Sequence, residues 1–336
     1  MAVYTQIDNP ELFFQCKIYT GNGGSQSITF DGSENMQADM VWIKERDAAH
    51  SSSVIDSVRG VRKTLTSDEV ASEITESNGL SAFDSDGLTF DGAGGNHVND
   101  SSQATVAWCW KESATAGFGI ETWTGDGNTN RDVAHNMSAT PNVAIIKRRD
   151  SANSWIVYHH ANTSAPLTDY LYLDTTDATS DASGAWIGVD GTNVELVQVF
   201  SATNTNTATY VGYFFAEKQG FSKFGSYEGN NNANGSFVYT GFSVAWVCVK
   251  NIDTGSTKWV IQDTKRSSSG GGNPADKRLK PNDATAEETD SAIDLLSNGF
   301  KIRSTGSYTS DADTFIYMAF AEAPFVNSKG VPCNAR

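Results

Sequence analysis

Positive charge is scarce in this sequence. Its 24 lysines and arginines stand against 40 aspartates and glutamates, a net charge of −16 over 336 residues. A phosphate-binding surface needs clustered cations, so nucleic acid is not expected as a partner, and the acidity favours solubility. Long apolar runs are missing too. No stretch approaches the roughly 18 residues of a membrane helix. The opening MAVYTQIDNPELFFQ has neither the basic start nor the apolar centre of a secretory signal. No membrane partner is expected. Long alanine-, leucine-, glutamate- and lysine-rich stretches, the usual material of helices, are also absent. Cysteine is limited to Cys16, Cys109, Cys248 and Cys333, with no C-x-x-C pair. Cys109 and Cys248 lie in the strand-like runs VAWCWK and AWVCVK, where a thiol behaves as a small core hydrophobe, so reduced cysteines are expected.

Signatures of chemistry are equally thin. There is no phosphate-binding glycine loop, no G-x-S-x-G elbow and no H-E-x-x-H. The five histidines are His50, His97, His135, His159 and His160. The adjacent pair on a strand would face opposite ways and would not share a metal. DSDG at 84–87, with Asp91 beyond it, resembles the start of a calcium loop but lacks the later bidentate glutamate. At the matching turns Gly191 and Gly299 return without those carboxylates, so the turn is what repeats, and neither metal nor cofactor is expected. Glu112, Glu217 and Glu322 recur every 105 residues. A glycosidase needs two carboxylates facing one another about 5–10 Å apart. One glutamate per strand end reads instead as an edge charge or a turn contact, and no enzyme is expected.

What the sequence does contain is repetition. MVWIKERD at 40–47 returns as VAIIKRRD at 143–150 and WVCVKNID at 246–253, so Lys44, Lys147 and Lys250 fall at intervals of 103, as do Asp47, Asp150 and Asp253. Before each comes an aromatic and a glycine turn: YTGNG, WTGDG and YEGNN, with Gly21, Gly125 and Gly229 spaced by 104. After each come LTSD, LYLD or LKPN, then the hairpin signals FDSDGLTF, GVDGTNVEL and LLSNGFKI, then VAWCWKE, VGYFFAE or IYMAFAE. Asp-Gly and Asn-Gly between alternating runs point to type I′ turns. Five landmarks in constant order predict an all-β chain of three tandem homologous β-sandwich modules, jelly-roll or lectin-like, each about 104 residues long. The boundaries read as an N-terminal arm at 1–12 and modules at 13–116, 117–220 and 221–336, packed together because no linker separates them. The repeated Lys and Asp are expected to end a core strand and tie it to its turn. One helical signal, Thr285 with Glu288 before TDSAIDLL, predicts a turn or two of helix. RSSSGGGNPADKR at 266–278 reads as a loop.

Two sets of residues are candidates for binding. Trp123 and Tyr227 stand beside asparagine-rich turns, the latter containing Asn230, Asn231 and Asn232; aromatic faces with amides suit a carbohydrate site. The competing reading makes Tyr19, Trp123 and Tyr227 core residues. The arm YTQIDNPELFF carries Tyr4, Phe13 and Phe14, which either seat in a neighbouring subunit or begin the first sheet.

YTQIDNPELFFQ, IYTGNGGSQSITFDG, DMVWIKERDAAHSSSVIDSVRG, LSAFDSDGLTF and ATVAWCWKE resemble the repeated module of virion structural proteins from tailed marine bacteriophages, described as tail-fibre-like or concanavalin-like lectin proteins. FIYMAFAEAPF resembles that family's C-terminal strand. The second third of the chain has no counterpart to DSVRG, and the last third offers QDTKR. The resemblance implies a non-enzymatic virion protein made in the host cytoplasm and carried on the outside of the tail or capsid. Its expected role is a tail fibre contacting the host surface; the alternatives are a capsid decoration protein and a free glycan-binding or glycan-cleaving protein. Expected partners are other virion proteins, further copies of the chain in a trimer, and host cell-surface glycans.

Overall fold

The computed structural model describes residues 5–181, 186–197, 201–268 and 273–324. Runs of β-branched and aromatic residues, broken every few positions by Gly, Asn, Asp and Ser, form strands. Among the described residues the only helical element is a 3-10 turn, Pro10–Leu12, capped by the Asn9 side chain. The helix expected after Thr285 is instead the strand Glu288–Leu296, paired on both sides with Ala275–Arg278 and Gly299–Ile302. Two flanking partners outweigh a local capping signal. The loop expected at 266–278 also shrinks. Arg266 is fully buried and Ala275–Arg278 is a strand; residues 269–272 lie outside the described set.

Among the described residues every strand pairing is antiparallel. The first large sheet runs in the order Phe14–Thr20, Ala104–Trp110, Met40–Glu45, Ser53–Asp56, Lys63–Thr66, Ile74–Thr75. The second runs Phe118–Thr124, Thr209–Phe215, Val143–Arg148, Ile156–His159, Asp169–Tyr172, Ser180–Asp181. The third runs Ser222–Glu228, Thr314–Pro324, Phe242–Asn251, Val260–Asp263. In each, the opening strand pairs with the last strand of its segment, which in turn pairs with the strand carrying the repeated lysine. A smaller sheet accompanies each: Ser25–Thr29, Gly87–Asp91, Leu80–Asp84; then Arg131–Ala134, Asn193–Leu196, Trp186–Val189; then a four-stranded one starting at Phe237–Tyr239.

Alternation along the large sheets sorts side chains between two layers. Val41, Ile43, Ala107 and Cys109 pack against Ile28, Leu88 and Phe90 of the first small sheet. Ala144, Ile146 and Phe214 meet Val194 and Leu196, and Val247, Val249 and Ala319 meet Val238 and Phe300. The intervening residues of all three large sheets turn the other way into one shared core. At its centre Trp110, Phe215 and Phe320, spaced by 105 in sequence, meet with ring centroids 6.4, 5.7 and 6.0 Å apart. Truncating any of them costs about 3–5 kcal/mol.

Hairpin glycines act differently from expectation. Asp84 pairs with Gly87 and Leu296 with Gly299, so the two-residue turns are Ser85–Asp86 and Ser297–Asn298, and the glycine follows the turn. A Cβ there would lie 2.0 Å from Ile28 O or Val238 O of the next strand. Close backbone approach fixes glycine at these sites. Cys16, Cys109 and Cys248 are buried and unpaired, and Cys333 lies outside the described residues. No described helix is long and apolar enough to cross a membrane.

Candidate functional site

The repeated lysines are the first candidates, because burying a cation demands a reason. Lys44, Lys147 and Lys250 are at most 1% exposed, and burial pushes each ammonium down to about 8. Each Nζ donates within its own segment to a carbonyl, of His50, Asn153 or Thr257, and Lys250 also reaches the Thr257 hydroxyl. Each also donates into another segment. Lys44 reaches Ala284 O (2.8 Å), Lys147 reaches Val70 O (2.9 Å) and Lys250 reaches Thr176 O (3.4 Å). First to third, second to first, third to second: the contacts close a ring. The paired aspartates do the expected local work. Asp47, Asp150 and Asp253 accept from the backbone N–H of Ala104, Thr209 and Thr314, anchoring the start of each closing strand. Glu112 and Glu217 accept from Ile120 N–H and Phe224 N–H across the turns into the next sheet.

A second ring of bonds accompanies the lysines. Arg59, fully buried, meets Asp56 at 2.5 Å, and Tyr213 Oη of the second segment donates to the same carboxylate at 2.7 Å. Glu73 then takes both Arg59 (3.2 Å) and Arg149 of the second segment (2.8 Å). In the third segment Arg266 meets Asp263 at 2.6 Å, Trp108 Nε1 of the first segment donates to Asp263, and Glu287 takes both Arg266 and Arg46. D-x-x-R in DSVRG and QDTKR therefore performs one task. The second segment has His159 and Asn162 at the corresponding places. His159 bonds Tyr317 O, and Thr179 Oγ1 donates to Asn162 Oδ1 at 2.7 Å. Burial and the neighbouring His160 push His159 down to about 3.

The residues proposed from sequence for sugar contact are placed elsewhere. Trp123 stacks on Tyr210 with its indole N–H on Thr203 O, and Tyr227 stacks on Phe315 with its hydroxyl on Thr309 O. Tyr19 does the same with Phe90 and Val98 O. Both Trp123 and Tyr227 are only 8% exposed, so they are core pieces that also hold a loop. Asn230, Asn231 and Asn232 are exposed, but Asn230 and Asn232 side chains accept from Asn232 N–H and Asn234 N–H in their own turn. The exposed aromatics nearby are ones the sequence reading passed over: Phe237 and Tyr239, on the outer strand of the third small sheet.

The arm is corrected likewise. Phe14 is buried among Trp110, Trp246 and Phe320, and Phe13 packs on Phe221. Thr5 and Gln6 bond Gln219 O of the same chain, and Ile7 is buried in the shared core. Both phenylalanines thus belong to the chain's own core; Tyr4 lies outside the described residues.

DSDG does not gather its carboxylates. Asp84 takes the Thr89 hydroxyl, Asp86 the Met36 N–H, and Asp91 the Gly79 N–H and Arg62. His135, His159 and His160 bond three separate carbonyls, of Asp190, Tyr317 and Phe224. Among the described residues one cluster does gather, and no motif announced it. Glu45, at the end of its strand, His50 in the following loop, and His97 and Asp100 in the loop before Ala104 each bring one donor atom within 4.8 Å of the others. The two imidazoles stack at 3.5 Å with an 11° tilt. His50 Nδ1 lies 2.5 Å from Glu45, and His97 Nδ1 lies 2.6 Å from Asp100. Glu45 is 1% exposed; burial raises its pKa, and its Oε1 has no hydrogen-bond partner. The pairs E-x4-H and H-x2-D, about 50 residues apart, were the only signal available.

The family model described as "Domain of unknown function (DUF7483)" matches residues 9–324, and the chain belongs to that family. No curated protein and no solved structure matches the chain.

Proposed function

We propose that this member of the DUF7483 family is a non-enzymatic structural protein of a bacteriophage virion, built of three tandem homologous β-sandwich modules at 13–116, 117–220 and 221–336 closed into a ring. One observation carries the reading. The residues that recur in all three segments are committed to internal bonds: the lysines to neighbouring segments, the aspartates to strand starts, the stacked aromatics to loops. What has been copied at these positions is a scaffold; of the recurring glutamates, Glu112 and Glu217 hold turns, and Glu322 stands exposed as an edge charge at the end of its strand. The bacteriophage assignment rests on the sequence resemblance. An acidic, sheet-rich body with paired buried polar groups suits the outside of a particle.

Within that reading the first role is a tail fibre or other receptor-binding protein. Phe237 and Tyr239 are 48% and 60% exposed on a sheet edge beside the exposed Asn230–Asn232 turn, a surface with faces for sugar rings. The second role is capsid decoration. It is favoured by the seating of Phe13 and Phe14 in the chain's own core, where neither ring is free to dock on a neighbouring protein. Immunogold labelling of intact virions decides between them. Label at the tail tip supports the first, label over the head the second, and unlabelled particles sink both.

A further inference from the structure

The side chains of Glu45, His50, His97 and Asp100 take no part in the two rings of bonds that join the segments, although the His50 carbonyl accepts from Lys44. We propose that these four side chains bind one divalent transition-metal ion of the zinc class.

Donor chemistry sets the class. Two imidazoles with two carboxylates form a mixed nitrogen–oxygen set that suits zinc and its neighbours, whereas calcium takes six to eight oxygens. Distance comes next. Four donors at about 2.0–2.2 Å from a tetrahedral zinc stand roughly 3.3–3.6 Å from one another. The four atoms already lie within 4.8 Å of one another, so rotation about the side-chain bonds, with the stacked rings turning until their nitrogens converge, would bring them to that spacing. The third observation is Glu45 Oε1, buried and without a partner. A buried carboxylate oxygen left unbonded is costly, and a cation between the two loops would satisfy it. The two imidazoles lie against one another, so both ring nitrogens are brought to the same place between the loops. His50 and His97 side chains are 34% and 37% exposed, which leaves an entry path from solvent.

Comparison within the chain separates this cluster from the framework. The residue after each repeated lysine is Glu45, Arg148 or Asn251, and the carbonyl each lysine takes locally belongs to His50, Asn153 or Thr257. Gly21, Gly125 and Gly229 press against the carbonyls of Asp100, Thr205 and Asp311 in turn. The backbone positions are thus kept three times and the ligand set occurs once. Folding does not require those side chains at those places.

The test uses the untagged full chain, stripped with a chelator and titrated with zinc sulfate against a chromophoric competitor. One equivalent should bind, and cobalt(II) at the same site should give the visible absorption of a four-coordinate nitrogen–oxygen centre. His97→Asn keeps a residue that tolerates the left-handed backbone there (φ +57°), and Asp100→Asn keeps shape. Each should weaken zinc binding by about 100-fold or more, since even outer-shell changes cost about 10–100-fold. The zinc-free melting temperatures should stay close to wild type, so that lost binding is not lost folding. Zinc at saturation should raise the wild-type melting temperature by about 2–4 °C or more. The proposal is overturned if wild type takes up no stoichiometric zinc, if both variants bind as wild type does, or if equimolar calcium displaces the ion.

Discussion

The junction between the first and second segments and the junction between the second and third do the same job with opposite chemistry. At the former, Asp56, Arg59, Glu73 and Arg149 form a buried charged ladder closed by Tyr213. At the latter stand His159, Asn162, Thr179 and Ile252, all uncharged at neutral pH. The backbone bond beneath is nevertheless the same: Glu73 N–H to Arg149 O and Thr179 N–H to Ile252 O, both 2.9 Å, with Glu287 N–H to Arg46 O at the third junction. The main-chain bond is therefore the constant element and the side chains are replaceable. A buried ion pair gains little over a well-packed neutral substitute, because desolvation offsets the Coulomb attraction. Breaking a charged ladder is another matter.

Arg59→Met should have the largest effect. It leaves Asp56 buried beside Tyr213 with no cation, at a cost of about 3–5 kcal/mol in urea denaturation. Asn162→Leu at the matching neutral position should cost about 1–2 kcal/mol. Equal losses in the two variants would end the distinction between the junctions. Next in size is Lys147→Met, which strips the donor from the carbonyls of Glu69 and Asn153, while Val70 O keeps the Asn153 N–H. Unsatisfied buried carbonyls cost about 1–3 kcal/mol each, partly offset by relief of the buried charge, so a loss of about 3 kcal/mol is expected by the same measurement.

Acid should separate the junctions in order. His159 is held at about 3, below the ordinary 6.5, by burial and His160. The unfolded chain therefore gains a proton below about 6.5 that the native chain refuses, so stability is full above that pH and falls as pH drops toward 3. The slope approaches about 1.4 kcal/mol per pH unit. Glu73 behaves as a paired carboxylate. Burial works to raise its pKa, but the bonds from Arg149 and Arg59 prevail and hold it below 4.5. Its contribution is complete above 4.5 and is lost only as pH falls through the lowered value. Between pH 6.5 and 5 the neutral junction should weaken while the charged one holds. His159→Leu should flatten the stability profile over that interval; a profile as steep as wild type would show that another group titrates there.

Much of the architecture was legible because strands announce themselves locally. Alternating runs and glycine turns gave the all-β class, and the interval of 103 located Lys44, Lys147 and Lys250. What those lysines reach was not legible. Ala284, Val70 and Thr176 offer backbone carbonyls, which carry no side-chain signature. Glu73 and Glu287 stood outside every repeated phrase, so their arginine partners could not be inferred. Trp123 and Tyr227 looked like ligand platforms because a sequence shows the polar turn beside a ring and not the ring stacked beneath it. The histidine–carboxylate cluster was hidden for a related reason: its halves lie on separate loops that only the folded first segment joins.

The smallest predicted effect tests the neutral junction by itself. Thr179 contributes a backbone N–H to Ile252 O and a hydroxyl to Asn162 Oδ1 at 2.7 Å. Thr179→Val keeps the first and removes the second, with shape nearly unchanged. One neutral hydrogen bond is worth about 1 kcal/mol net, and the loss should be of that order. A double-mutant cycle with Asn162→Leu isolates the pair, since each single change removes the contact. A coupling near 1 kcal/mol means that a side-chain bond inside the second segment braces the loop that presents the Thr179 N–H to Ile252 O. A coupling near zero would show that this loop stands without the brace, held across the junction by the main-chain bond, the shared core and the bonds of His159 and Lys250.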